Sequence, residues 1–369
     1  MAKVNPDFVK DIKKFGADEF SACYNCGNCT AICSLTDKNN AFPRKLIRYT
    51  VLGLESEIKS SVDPWLCYYC GECSTSCPRQ ADPGNLMMSL RRYLISKYDW
   101  TGLAGVLYKN LTAYIIAFLV VIGGVVGLYV GDVFNQEQMM HYGHYFEMFA
   151  IVGVFALILL PNLIRMWYLI VWKNTKKFVL KTHIDNIKEL FIHMFTQKRS
   201  LSCDSEENKK DEKLWWFEHF MLVIGYLGLL FTTVVLNWFG PKSLIEGGNS
   251  AGSLFVIIIG YVFSAIVFVV TFDFVKRRIQ KKSEKTTKSH PSDWFFVIWL
   301  LLMSVSAFAV RLLIDFNVLE NNFWVFLFHL IILVQWALII VPFGKWTHFL
   351  YRSFAMYFSS IINTVEKKK

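Results

Sequence analysis

Eight cysteines stand in two dense rows. ACYNCGNCTAICS carries Cys23, Cys26, Cys29 and Cys33, and LCYYCGECSTSCP carries Cys67, Cys70, Cys73 and Cys77. Clustered thiolates on a chain destined for a reducing compartment point to metal rather than to disulfides. Structural zinc takes two C-x2-C pairs separated by a longer loop, with four ligands per ion. Three cysteines at three-residue steps, closed by a fourth, is instead the spacing that holds two [4Fe–4S] clusters, each row lending its last cysteine to the other cluster. That reading assigns Cys23, Cys26, Cys29 and Cys77 to a first cluster, and Cys67, Cys70, Cys73 and Cys33 to a second. Zinc and disulfides are the alternatives. Gly27 and Gly71 fit a loop that curls around a cluster face, because glycine accepts positive φ and lets backbone N–H groups approach sulfur. Pro78 follows the last cysteine of the second row, and Ser34 takes that place in the first.

These rows occupy a small polar segment, residues 1–100, on an otherwise apolar chain. Of 369 residues 54% are hydrophobic, and the mean hydropathy is +0.35, well above a soluble domain. MAKVNPDFVKDIKKFG lacks an apolar signal core, so the segment is expected to stay in the cytoplasm. Six apolar runs have the roughly 20 residues that cross a bilayer: 111–130, 149–168, 216–238, 254–274, 294–316 and 324–346. The loop 173–214 carries ten Lys or Arg, the loop 275–293 carries seven, and a basic tail covers 353–369. The connections 131–148, 239–253 and 317–323 carry only Lys242. By the positive-inside rule the basic loops and both termini lie on the cytoplasmic side of an inner membrane. The net charge of +10 is thereby explained without nucleic acid.

Between the rows, Leu46, Ile47, Val51, Leu54 and Ile58 recur near helical spacing, and Pro43 suits a first turn. Asp82 and Pro83 read as the cap and first residue of a helix through NLMMSLRRYLISKY. The predicted fold is all-α: a helical two-[4Fe–4S] ferredoxin domain, then a six-helix transmembrane cytochrome b-type bundle over 101–352. KTHIDNIKELFIHMF is expected as an amphipathic surface helix.

Histidines then gain meaning from depth. His219 opens the third run and His348 closes the sixth, both at the cytoplasmic end. Two imidazoles from different helices at one depth are what a b-type haem requires. His329 lies near the outer face, about 28 Å from His348 along an ideal helix. A second haem there would need a partner, and His144, or His141 beside it, lies at that depth; the third run offers only Leu229. Pro342 between His329 and His348 is expected to kink the helix. His183, His193 and His290 fall in basic segments, where a solvated role is expected. Arg165 and Arg311 near run ends read as snorkelling cations, or as partners of haem propionates or quinone. Cys203 is a lone thiol in a polar loop.

Residues 1–100 resemble the small iron–sulfur (C-type) component of heterodisulfide reductases, and the remainder resembles the cytochrome b subunits of the nitrate reductase gamma type, through FEHFMLVIGYLG and PFGKWTHF. The fusion of both halves resembles the C-type membrane component of quinone-interacting membrane-bound oxidoreductases (Qmo). The resemblance implies two [4Fe–4S] clusters, one or two haem b groups and a quinone substrate. It further implies cytoplasmic flavin- and Fe–S-containing partner subunits in adenylylsulfate reductase-linked sulfur respiration. It matches His219 and His348 to the inner haem, and sets His329 near the outer one. No G-x-G-x-x-G fingerprint is present, so flavin chemistry is expected on a partner, and this chain as one part of an oxidoreductase without a complete active site. The alternatives are a heterodisulfide- or nitrate-reductase-like component with another terminal partner, and a zinc-binding membrane anchor.

Overall fold

The computed structural model describes residues 3–37, 40–198, 209–232, 251–281 and 284–367. Among them the chain is helical throughout, without a strand. Among the described residues five helices are long and apolar enough to cross a membrane: Leu111–Val130, Gln136–Thr175, Leu254–Gln280, Pro291–Asp315 and Glu320–Glu366. The expected third run lies on the helix Lys209–Leu230 and continues past Thr232 into residues outside the described set, as do Cys203 and Lys242.

The cysteine-bearing domain is built around the helix Pro83–Tyr98, which packs Leu86, Leu90, Tyr93 and Leu94 against Phe8, Phe15, Leu46 and Ile58. Asp82 caps it as expected, its carboxylate accepting from the Asn85 N–H at 3.2 Å, and Pro83 occupies the first turn. The same carboxylate accepts from Ser74 Oγ at 2.6 Å in the second cysteine row. Helix start and cluster loop are thus pinned by one residue.

The chain then enters the bundle through a rigid joint. Trp100 donates from its backbone to Asn162 Oδ1 at 3.0 Å, and from Nε1 to the Leu157 carbonyl at 2.9 Å. The helix carrying those acceptors begins at Gln136, well before the apolar run expected at 149. A capping box between Asn135 and Gln138 starts it early, so His141 and His144 are helical rather than in a loop. Widened, π-type turns at 155–159 and 336–340 directly precede Pro161 and Pro342. A proline cannot donate to the preceding turn and crowds its carbonyl, and a wider turn relieves both faults.

After Pro342 the last apolar helix does not run straight on. It breaks at Gly344, in an extended conformation, and restarts as Thr347–Glu366. A Cβ at Gly344 would stand 2.7 Å from the Ile340 carbonyl oxygen and 2.9 Å from the Tyr114 hydroxyl. His348 therefore belongs to a new helix, and its direction owes nothing to the phase of His329. The segment expected as a basic tail is helical to Glu366 and buries Tyr357, Phe358 and Ile361. It packs against the helix Leu180–Thr196, the expected amphipathic element, through Tyr357 Oη to the His183 carbonyl at 3.2 Å.

Candidate functional site

The two cysteine rows fold back to back. Gly27 and Gly71 hold φ of 93° and 95° at the starts of the short helices Asn28–Ile32 and Glu72–Thr75. Only glycine takes that turn without strain, and at Gly27 a Cβ would also come within 2.9 Å of Arg44 Nη1. Asn28 Nδ2 donates to the Ser76 carbonyl at 2.6 Å, tying row to row. The consequence is an exchange of neighbours. Cys29 feels the charges of Cys23, Cys26 and Cys77, whereas Cys33 feels Cys67 and Cys70 ahead of Cys29. Cys33, Cys67, Cys70 and Cys73 all line one cavity, with Ile32, Phe42, Gly84 and Met87.

Backbone N–H groups point at sulfur in both rows: Asn25 to Cys23 at 3.4 Å, Tyr69 to Cys67 at 3.3 Å and Ala81 to Cys77 at 3.4 Å. Burial, and then the neighbouring thiols, push Cys33 up to about 11 and raise Cys73 as well. Thiolates so crowded need compensating positive charge, which bound iron supplies. Among the described residues no three Cys, His, Asp or Glu side chains converge as they would on one ion.

Residues 19–81 match the family described as the 4Fe–4S dicluster domain. Both rows fall inside the match. The chain is 35% identical over 94 residues to a protein of Archaeoglobus profundus named as like the C component of heterodisulfide reductase, covering 25% of this chain and 50% of that one. It is 34% identical over 77 residues to the C component of the H2:CoB–CoM heterodisulfide,ferredoxin reductase of Methanothermobacter marburgensis, covering 21% and 42%. With the C component of the ferredoxin:CoB–CoM heterodisulfide reductase of Methanosarcina acetivorans the identity is 32% over 97 residues, covering 26% and 38%. The chain thus spans about half or less of the length of these relatives, which are by name parts of oxidoreductases. No solved structure matches.

Beside the dicluster domain lies a second cavity, walled by Leu222, Val223, Phe274, Phe296, Val297, Leu300, Trp336, Trp346 and Phe349. His219 and His348 both line it, from different helices, close enough for their charges to interact. Among the described residues, His219 Nδ1 is buried without a hydrogen-bond partner. Among the described residues six cations, Arg91, Arg92, Arg278, Lys288, Lys345 and Arg352, line the same space with a single carboxylate, Asp293. Lys345 pairs with Asp293 at 2.8 Å, and Lys288 turns outward to Asp82 at 2.8 Å. Six cations against one carboxylate in the lining favour an anionic occupant. Two imidazoles, apolar walls and a basic end fit a haem with its two propionates.

Tyr68, Tyr69 and Cys70 line both cavities, so one stretch of the second row is the wall between them.

Other histidines are placed elsewhere. The helices carrying His144 and His329 approach at Gly143, where a Cβ would stand 3.3 Å from Leu330 Cδ1. Yet His329 Nδ1 meets Ser306 Oγ at 2.9 Å, and His144 lies against Tyr145 and feels the charge of His141. The solvated role expected of His183 and His290 does not hold. Trp167 Nε1 donates to His183 Nε2 at 3.0 Å, while His290 caps the helix Pro291–Asp315 and packs on Tyr108. His193 faces Glu189 at 3.6 Å. Arg165 donates to the Lys97 carbonyl at 3.1 Å and Arg311 pairs with Asp315; neither lines the cavity. Of the basic residues that do line it, Lys345 falls in the PFGKWTHF stretch, whereas Arg91, Arg92, Arg278, Lys288 and Arg352 carry no motif that marks them in the sequence.

Proposed function

We propose that the chain relays single electrons between a membrane quinone and cytoplasmic flavin- and Fe–S-containing partner subunits. Cys23, Cys26, Cys29 and Cys77 would hold one [4Fe–4S] cluster, Cys67, Cys70, Cys73 and Cys33 the other, and His219 and His348 a haem b. Bound there, clusters and haem supply carriers that change by one electron without bond making. The protein's own work is arrangement. Backbone N–H groups stabilise the thiolate sulfurs, Gly27 and Gly71 let the loops close around them, and the basic lining of the cavity offsets propionate charge. The observation that carries the reading is the shared wall at Tyr68, Tyr69 and Cys70, which sets the imidazole pocket directly against the second cysteine row.

The dicluster domain and both termini belong, in this reading, on the cytoplasmic side of the inner membrane. The partner class is a sulfur-compound reductase, adenylylsulfate reductase-linked by the resemblance of the fused architecture. The names of the matched relatives favour a heterodisulfide-type terminal partner as the second reading. Co-purification of the chain from its native membrane, with the associated proteins identified, separates the two.

A reduced-minus-oxidised visible spectrum of the purified chain tests the relay, with iron, acid-labile sulfide and haem assayed on the same sample. About eight non-haem irons with a bis-histidine b-type spectrum is the expected result. A folded, colourless preparation that binds zinc sinks it and leaves a membrane scaffold.

A further inference from the structure

Trp65 packs on His348, which lines the one cavity, and stands two residues before Cys67, which lines the other. Its side chain is fully buried, and only Leu66 separates it from Cys67. The centre of the indole lies 5.9 Å from that of the His348 imidazole, with 41° between the ring planes. Its neighbours allow it no other seat. Nε1 donates to the Tyr98 hydroxyl at 3.3 Å, the Tyr351 ring meets it edge-on at 5.9 Å, and the Arg91 guanidinium lies 6.0 Å from its centre. Arg91 also donates through Nε to the Pro64 carbonyl at 2.7 Å and through Nη2 to the Cys67 carbonyl. One guanidinium therefore grips the backbone on both sides of the ring. Burying a cation is costly unless its donors are used, and here they are used on the link between the pocket and the row.

We propose that Trp65 is the conduit through which electrons cross between the His219–His348 pocket and the second cysteine row, and that Arg91 is the positioning residue that holds it there. The inference rests on the relay proposed above. With haem held by His219 and His348 and a cluster held by the second row, one electron would leave the former and enter the latter, with no proton or bond changing hands. The indole spans the space from imidazole to the backbone two residues from the Cys67 thiol. The competing route runs through Tyr69 and Cys70 in the shared wall.

The test uses the full-length chain in detergent or nanodiscs, with haem and both clusters first shown by visible and EPR spectra. The haem is photoreduced, and transfer is followed as decay of its reduced band and growth of the cluster EPR signal in freeze-quenched samples. Trp65→Leu is expected to slow transfer severalfold with the midpoint potentials unchanged, and Trp65→Phe to restore most of the rate. Arg91→Lys keeps the charge but loses the two-carbonyl grip, and is expected to slow transfer with Trp65 in place. A native rate in Trp65→Leu, or slowing by Tyr69→Leu alone, overturns the conduit and leaves the relay standing. Should Trp65→Leu not assemble, a native rate in Arg91→Lys overturns it instead. A native chain lacking haem or clusters removes the relay itself, a different failure seen before any variant is made.

Discussion

At the scale of single residues, Glu55 shows how the dicluster domain is tied to itself. Its carboxylate accepts from Asn5 Nδ2 at 3.0 Å and from the Tyr93 hydroxyl, and pairs with Lys59 at 2.6 Å and Lys97 at 3.4 Å. Burial alone would raise its pKa, but the hydrogen bonds from Lys59, Tyr93 and Asn5 carry it down to about 2 from the ordinary 4.5. A group whose folded value is depressed stabilises the fold above its unfolded pKa and loses that contribution as pH falls through the folded one. Glu55→Gln is therefore expected to lower the unfolding midpoint near neutrality, and the gap to the native protein to close between pH 4.5 and about 2. Thermal melts across that range check it; a gap that stays constant with pH would show that the carboxylate charge contributes nothing. Residues of this kind are hard to read in a sequence. The cysteine rows announce themselves by spacing, whereas Glu55, Arg91 and Trp65 depend on partners tens of residues away. A charged residue in a helix reads as a solvated face until the fold buries it.

Elements carried their own signals, some of them plain and some hidden. The start of the helix at Pro83 was legible because Asp-Pro is a local capping chemistry, complete within a few residues. Asp82→Ala is expected to cost about 1 kcal/mol for the lost cap, and more in practice, since the same carboxylate also holds Ser74 and Lys288. A lowered melting temperature together with weaker occupancy of the second cluster is the expected readout; an unchanged melt would deny the cap its role. The early start at Gln136 was equally local, a capping box between Asn135 and Gln138, but the hydropathy of the segment that follows hid it. The break at Gly344 was not legible at all. Pro342 predicts a kink, yet the break at Gly344 lies against the Tyr114 hydroxyl, from a distant part of the chain, as well as the Ile340 carbonyl one turn earlier.

For the whole molecule, the expected boundary at residue 100 is not a boundary in the core. Trp65, Tyr98, Leu163, Met166, Tyr351 and Phe358 belong to one continuous hydrophobic cluster. Composition separates a polar segment from an apolar one, but only the folded chain shows that they share an interior. The same view bears on the number of haems. His219 and His348 share a basic, apolar-walled cavity, while His329 is engaged by Ser306 and does not line it. For the proposed relay, one haem per chain is therefore the expected stoichiometry. His348→Ala is expected to abolish the bis-histidine spectrum, and His329→Ala to leave its intensity unchanged. A pyridine haemochrome assay returning two haems, or a loss of half the signal in His329→Ala, would overturn this.

The partition formed by Tyr68, Tyr69 and Cys70 also bears on assembly. Because one stretch of backbone closes both chambers, filling either is expected to shape the mould for the other, so that in the proposed relay maturation of the second cysteine row would depend on haem insertion. The first cluster, three of whose thiols come from a row that has Cys26 exposed and lends no residue to the cavity of His219 and His348, would then load on its own schedule once Cys77 is in place. In a host starved of haem, or in His219→Ala, newly made chains are expected to accumulate with one cluster rather than two. Iron and EPR spin counts would record that intermediate directly, and equal filling of both rows without haem would show that the chambers mature independently.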